Sequence, residues 1–131
     1  MSALEIDVLE EGGSDLGSFG ARVLSDGRVL RGSAFMGEVT REEELAGRPS
    51  AETFQRVLRA ARHVADLRMP SQRFGPDPLK IADGYTETVI LRTHGREVRY
   101  EATVGQWGEH AVAFRELISA VRKAAIEAEG N

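Results

Sequence analysis

The chain of 131 residues contains no cysteine, and this absence removes several classes of small protein. Without thiols there is no disulfide framework, no thiolate nucleophile and no cysteine-ligated zinc site. The protein needs no oxidising compartment, so we expect it in the cytoplasm. Residues Met1 to Glu10 include Glu5 and Asp7 among their apolar side chains, and we therefore expect neither a signal peptide nor a membrane span there.

Lysine and tyrosine are both scarce. Arginine supplies 15 of the 17 basic residues along the whole chain, so a single arginine is weak evidence for a phosphate site. The formal net charge of −4 disfavours general nucleic-acid binding, which depends on a positive surface. Tyr85 and Tyr100 are also too few to supply base stacking. We therefore do not expect nucleic acid as a partner.

The strongest local pattern predicts a helix from Ser50 to Arg68. The hydroxyl of Ser50 is suited to accept from the amide of Thr53 and so to cap the first turn, and Pro70 ends the helix. Apolar residues recur at spacings of three and four and define the face expected to be buried. These residues are Phe54, Val57, Leu58, Ala61 and Ala65.

Residues Phe19 to Gly32 are predicted to form a β-hairpin. Its centre, Asp26-Gly27, tolerates the positive φ angles of a two-residue type I′ turn. That turn pairs Val23 with Leu30 and places both side chains on the core face of the sheet.

The second half of the chain repeats this arrangement. Tyr85 to Thr103 predicts a hairpin that turns at His94-Gly95, and a helix follows from about 110 to 127. The apolar stripe of this helix repeats that of the first helix at an offset of sixty residues and consists of Phe114, Leu117, Ile118, Val121 and Ala125. We therefore predict one α+β domain over 1–131, in which a ββα unit is used twice. A four- or five-stranded antiparallel sheet, with a first strand at Leu4 to Val8, should carry both helices on one face.

No residue set assigns a catalytic site, a metal site or a cofactor. His63, His94 and His110 are the only histidines, and no two of them have metal-ligand spacing. The glycine-rich segment from Glu10 to Gly20 lacks the lysine and hydroxyl of a phosphate-binding loop and is predicted to be a flexible turn. We therefore predict no catalytic residues, no metal ligands and no cofactor.

Two segments are suited to contact a partner. Pro70 to Gly84 contains three prolines, which lower the ordering cost of presenting Arg73, Phe74 and Leu79. Trp107, the only tryptophan, lies in a glycine-flanked turn, where it is either a lid over a helix end or an anchor for a partner. These four residues are the predicted partner-binding site.

Several turn and core motifs also resemble one known family. They are Gly12-Gly13, Ser25 to Val29, Val57 to Leu67, Asp83 to Thr86 and Gly95 to Val98, followed by a closing helix. In this order they resemble the emfourin-like protein inhibitors of thermolysin-like metalloproteases and related small ββαββα domains. The resemblance implies that a loop of this chain occupies the cleft of such a protease.

Two functions from different classes stay open at this point. One is a non-catalytic protein-binding module, an inhibitor or an adaptor, and the other is a small-ligand-binding or enzymatic domain. The first is favoured because a binder needs only a rigid sheet and a displayed loop, whereas an enzyme needs a clustered set of reactive groups. The sequence gives neither the identity of the partner nor the oligomeric state.

Overall fold

The computed structural model describes residues 4–11, 19–32, 34–35, 38–39, 44–74, 86–93, 95–103 and 106–130. The strands of this part of the chain are β1 Glu5–Glu11, β2 Phe19–Val23, β3 Val29–Gly32, β4 Ala34–Phe35, β5 Glu38–Val39, β6 Glu44–Gly47, β7 Gln72–Phe74, β8 Thr86–Thr93 and β9 Arg96–Thr103. The helices are α1 Ala51–Ala65 and α2 Ala111–Gly130, and a 3-10 turn, Gly108–His110, leads into α2.

The main sheet is built around β1. Its strand order is β6-β3-β2-β1-β8-β9-β7, and all neighbours are antiparallel except β7, which runs parallel to β9. The hairpins β2-β3 and β8-β9 therefore flank the central strand. The predicted α+β class with a repeated ββα unit is confirmed, but the predicted strand count is too low and the predicted antiparallel sheet contains one parallel pair, β7 with β9. The sequence analysis missed the edge strands β6 and β7, because both lie in segments without a clear alternation of apolar residues.

Both helices pack on one face of this sheet, as predicted. A single large cluster of buried apolar side chains joins the two helices to β1, β2, β3, β8 and β9. From the sheet it contains Ile6, Val8, Ala21, Val23, Val29, Val89, Leu91, Tyr100 and Ala102. From α2 it contains every residue of the predicted stripe. We call this side of the sheet the helix face and the other side the opposite face.

The small β4-β5 hairpin contacts β1 and β2. Because β1 has strands at both edges and helices on one side, the hairpin lies over the opposite face. Leu9 and Ile90 are buried on that face and form a second, small apolar cluster. The centre of the sheet is therefore covered on both sides.

Helix α1 begins as predicted and is rotated about its axis relative to the prediction. The Ser50 side chain accepts from the Thr53 amide at 3.2 Å. The buried residues are Thr53, Val57, Ala60, Ala61 and Val64, whereas Leu58 is half-buried and Ala65 is exposed. The rotation has a polar cause: the Thr53 hydroxyl donates to Glu127 of α2 at 2.7 Å, which turns this position toward α2.

The first hairpin has a three-residue loop, whereas the sequence predicts a two-residue turn. The Leu24 amide donates to the Arg28 carbonyl at 2.8 Å, and the Gly27 amide donates to the Leu24 carbonyl at 2.9 Å. Gly27 has a φ of 95°, in the left-handed region that favours glycine. A type I turn closed by a left-handed glycine is a common alternative to the type I′ turn, and it adds one residue to the loop.

This extra loop residue changes which side chains face the core. Val23 pairs with Val29, and Arg22 pairs with Leu30. The predicted pairing of Val23 with Leu30 is therefore wrong: Val29 is buried in the core, and Leu30 is half-buried on the opposite face. A slip of one residue exchanges the two faces of a strand.

The second hairpin has the predicted register. Leu91 pairs with Val98, Val89 pairs with Tyr100, and Gly95 in the turn has a φ of 78°. His94, the other predicted turn residue, lies outside the described residues. The two-residue turn was predictable here because the apolar and charged pairs on both strands agree with only one register.

Glu127 links the two helices and supplies a pH-dependent test. Its Oε1 accepts from the Ser50 amide at 3.0 Å and its Oε2 from the Thr53 hydroxyl. These hydrogen bonds, that of the Ser50 backbone first, lower the pKa of Glu127. A carboxylate with a lowered pKa stabilises the fold above its unfolded pKa, about 4.3, and this stabilisation is lost as the pH falls through the folded value.

Glu127→Gln is therefore expected to lower the urea midpoint at pH 7 and to have a smaller effect near pH 3. Urea unfolding at the two pH values measures this difference. Glu116→Gln is the control: Glu116 is exposed on the same helix and its 3.7 Å contact with His63 is open to solvent, so both midpoints should change little. An equal loss at both pH values for Glu127→Gln would contradict the assigned role of the charge.

Candidate functional site

Strand β7 carries two of the four predicted partner-binding residues. Gln72, Arg73 and Phe74 pair in parallel with residues 100–102 of β9, and β7 is the last strand at this edge of the sheet. Arg73 lies on the opposite face, where its Nη2 donates to Glu101 Oε2 at 2.8 Å and its side chain is 48% exposed. Phe74 lies on the helix face and is half-buried. The strand therefore directs its two predicted site residues to different faces.

Phe74 joins an aromatic cluster at the start of α2. Its ring centroid lies 5.7 Å from those of both Trp107 and Phe114. Trp107 stacks on Phe114 at 4.1 Å with an interplanar angle of 14°, and Tyr100 meets Phe114 edge-on at 5.3 Å. These contacts clamp the short edge strand to the core.

Trp107 is fully buried, so it is not an exposed anchor for a partner. Its indole Nε1 donates to Glu87 Oε1 at 3.0 Å, which satisfies the one polar atom of the ring. Of the two interpretations of this residue, the lid over a helix end fits its position. Leu79, the fourth predicted site residue, lies outside the described residues.

A pair of carboxylates lies beside this cluster on the helix face. Glu10 and Glu87 are directly opposite in the β1-β8 register, an arrangement that destabilises a sheet unless the charges are compensated. Arg122 Nε donates to the buried Glu10, and Trp107 donates to Glu87. The hydrogen bond that Arg122 donates to Glu10 is the largest cause that raises the pKa of Arg122, and burial acts in the opposite direction. Both carboxylates thus act as structural acceptors.

A buried ion-pair network crosses the opposite face. Asp7 is 1% exposed, and it accepts from Arg22 Nε at 2.8 Å and from Arg22 Nη2 at 3.1 Å. Arg92 Nη1 lies 2.8 Å from Asp7 Oδ2, close in distance but poorly aligned for a hydrogen bond, and Arg92 Nε donates to Glu97 at 2.9 Å. Burial acts to lower the pKa of Arg92, and the adjacent Asp7 raises it overall. The network holds β1, β2, β8 and β9 together.

A cleft opens on the helix face between the end of α1 and the turn of the second hairpin. Its volume is about 440 Å³, and its described lining residues are Leu4, Ala65, Arg68, Met69, Leu91, Thr93, Arg96, Val98 and Tyr100. Burial raises the pKa of Tyr100, so its hydroxyl stays protonated at neutral pH. This hydroxyl donates to the Met69 carbonyl at 2.7 Å and fixes the segment that forms one wall.

The sequence analysis missed this cleft as a candidate site. Arg68 was assigned to the last turn of a helix, but α1 ends at Ala65 and Arg68 adopts a φ of 53°. Arg96 is part only of the turn and core motif Gly95 to Val98. No sequence signal brings these two positions together, because their proximity depends on how α1 lies across β8 and β9.

The two described histidines, His63 and His110, do not form a metal site with other described residues. His63 Nδ1 lies 3.7 Å from Glu116 Oε2, and His110 Nε2 lies 3.5 Å from its neighbour Glu109. Within the described ranges no group of three or more His, Asp or Glu side chains is placed to hold a metal ion.

The chain was also compared with known proteins. No family model, curated protein or solved structure matches it. The resemblance to emfourin-like inhibitors thus stays a prediction. Neither of the two described helices has the length and apolar character required to cross a membrane.

Proposed function

We propose that this chain is a non-catalytic protein-binding module whose partner contacts edge strand β7 and Arg73. The observation that carries the proposal is that a short edge strand is clamped to the core on one face and presents an exposed arginine on the other. Phe74 supplies the clamp through Trp107 and Phe114. Arg73 supplies the exposed group.

An edge strand is suited to protein binding because its outer backbone groups can pair with an extended segment of another chain. Clamping by Phe74 lowers the conformational entropy that such a contact costs. The ion pair with Glu101 restricts the Arg73 side chain in the same way, and arginine is enriched among residues that dominate binding energies.

The specific form of this proposal is an inhibitor of a thermolysin-like metalloprotease. It is supported by the resemblance to emfourin-like inhibitors and by the position of β7 directly before the proline-containing segment 75–84. In this form the segment that contains Leu79 occupies the protease cleft, and β7 fixes the residues directly before this segment. A cytoplasmic location is part of the proposal, since the cysteine-free chain needs no oxidising compartment.

A small-ligand-binding domain is the second candidate function. The observation that favours it is the cleft of about 440 Å³ on the helix face, which lies within the usual volume range of ligand sites, about 300–1,000 Å³. Retention of a small molecule through purification would support this candidate.

Arg73→Glu is expected to weaken binding to the partner about tenfold or more, because it replaces an exposed cation by an anion beside Glu101. The measurement is inhibition of thermolysin at micromolar concentration, together with recovery of partners from a lysate of the source cell on immobilised protein. Arg115→Glu, on an exposed position of α2, changes the net charge equally and should leave binding unchanged.

The outcomes test the inhibitor form separately from the general protein-binding function. Absence of inhibition at micromolar concentration would reject the inhibitor form, and recovery of another partner would keep the binding module. A partner that binds wild-type protein and the Arg73→Glu variant equally would place the binding surface elsewhere.

A further inference from the structure

The cleft on the helix face divides into an apolar wall and a basic rim. Leu4, Met69, Leu91 and Val98 line it with apolar side chains, and the Tyr100 ring adds an aromatic surface. Arg68 and Arg96 are both exposed and lie at the rim, and Thr93 adds a hydroxyl. None of the described lining residues is acidic. The cleft thus combines apolar surface with two positive charges, and its described lining contributes no negative charge.

The two rim arginines differ from most arginines of the sheet. The other described arginines of the strands are paired with carboxylates, as in the contacts of Arg22 with Asp7, Arg31 with Glu129, and Arg92 with Asp7 and Glu97. Within the described part of the chain, no carboxylate contacts the guanidinium of Arg68 or Arg96. Two like charges that share a rim repel each other, and a bound anion relieves this repulsion.

The backbone at Arg68 provides a second, independent observation. Its φ of 53° lies in the left-handed region, where glycine is favoured and a residue with a Cβ atom is disfavoured. The Arg68 amide donates to the Ala65 carbonyl at 3.0 Å, so this conformation closes the end of α1. The chain therefore places an arginine where glycine would be easier to accommodate. Strained backbone of this kind is frequent at ligand sites.

We propose that this cleft binds a small amphipathic monocarboxylate. The carboxylate lies between Arg68 and Arg96, and the apolar tail lies against Leu91, Val98 and the Tyr100 ring. A guanidinium donates to a carboxylate through two parallel N–H groups, and the apolar lining favours an anion that carries a hydrophobic tail. The cleft volume equals that of about fifteen water molecules at about 30 Å³ each, which suits a tail of roughly ten carbon atoms.

This site is separate from the proposed protein-binding surface. The cleft opens on the helix face, whereas the Arg73 side chain lies on the opposite face with Glu101. The inference gives the small-ligand-binding candidate its ligand class and therefore rests on that candidate function, not on a protein partner, and its test uses none of the residues of the protein-binding surface.

Calorimetric titration with decanoate provides the test, with 1-decanol as the uncharged ligand of equal chain length. Decanoate is expected to bind at one site, and 1-decanol at least tenfold more weakly, because the hydroxyl cannot form the charge-assisted pairs. Arg96→Gln is expected to weaken decanoate binding about 10- to 100-fold. Arg68→Gly is expected to weaken it similarly without lowering the melting temperature, because glycine relieves the backbone conformation.

Arg59→Gln is the matched control, because Arg59 is an exposed arginine of α1 and does not line the cleft. It should leave decanoate affinity unchanged. Amide NMR shifts on titration should concentrate at residues 65–69 and 96–100. The proposal would be overturned by equal affinity for decanoate and 1-decanol, or by a loss of decanoate affinity in Arg59→Gln equal to that in Arg96→Gln. The absence of decanoate binding at millimolar concentration would also overturn it.

Discussion

Replacement of Trp107 by alanine is expected to lower the free energy of unfolding by about 3–5 kcal/mol. The indole is fully buried and stacks on Phe114 at 4.1 Å, so its removal leaves a cavity between the edge strand and α2. It also removes the donor to Glu87, which lies directly opposite Glu10 on the neighbouring strand. The loss is a large fraction of the stability of a small domain, about 5–15 kcal/mol.

Circular dichroism during urea and thermal unfolding measures this loss, since the variant lacks the tryptophan that fluorescence would follow. The melting temperature should fall by about 10–20 °C. Val112→Ala is the control, because Val112 is 79% exposed on α2, and its truncation should cost less than about 0.5 kcal/mol. A loss below about 1 kcal/mol for Trp107→Ala would contradict the buried position of the indole.

Trp107→Phe separates the two contributions of this side chain. Phenylalanine keeps an aromatic ring on Phe114 and lacks the N–H that donates to Glu87. Its cost should fall between those of the wild-type protein and Trp107→Ala. If the hydrogen bond to Glu87 contributes to stability, the difference in unfolding free energy between proteins with tryptophan and with phenylalanine at position 107 should be smaller in a Glu87→Gln background. The Glu87→Gln change removes the repulsion with Glu10 that the indole N–H helps to offset.

In the elements that were predicted correctly, several independent features of the sequence indicate the same arrangement. The second hairpin has apolar and charged cross-strand pairs that agree on one register, with Leu91 opposite Val98 and Arg92 opposite Glu97. The stripe of α2 consists of Ala125 and four larger apolar residues at helical spacing, all of which are buried. In these elements, side-chain chemistry and backbone geometry favour the same arrangement.

The predictions fail where a contact distant in sequence or a single loop residue determines which side chains are buried. The rotation of α1 depends on the hydrogen bond from Thr53 to Glu127, 74 residues away. The first hairpin is compatible with two loop lengths, and the longer one moves Val29 into the core in place of Leu30. The burial of Trp107 and the proximity of Arg68 to Arg96 likewise follow from tertiary packing, which local patterns do not contain.

The Asp7 network gives the second large expected effect. Asp7→Ala is expected to cost about 2–4 kcal/mol, because it leaves Arg22 and Arg92 partly buried without their shared carboxylate. This cost is smaller than the cost of removing one partner of a fully buried ion pair. The two arginine side chains are 25% and 30% exposed, so solvent compensates part of the loss. Urea unfolding measures the cost. Glu97→Gln, which removes only the exposed end of the network, should cost less than about 1 kcal/mol.

A combined replacement tests whether this network is needed for the fold or only compensates its own charges. Breaking one partner of a buried ion pair is costly, whereas replacing all partners by apolar residues of similar volume is often neutral or stabilising. The triple variant Asp7→Leu, Arg22→Leu and Arg92→Met should therefore recover most of the stability that Asp7→Ala loses. The existing apolar pair Leu9 and Ile90 on the same face provides a surface on which the new side chains can pack. If the triple variant is less stable than Asp7→Ala, then the ion pairs themselves specify the pairing of β1 with β2 and β8, and their charges help to determine the strand arrangement of the sheet.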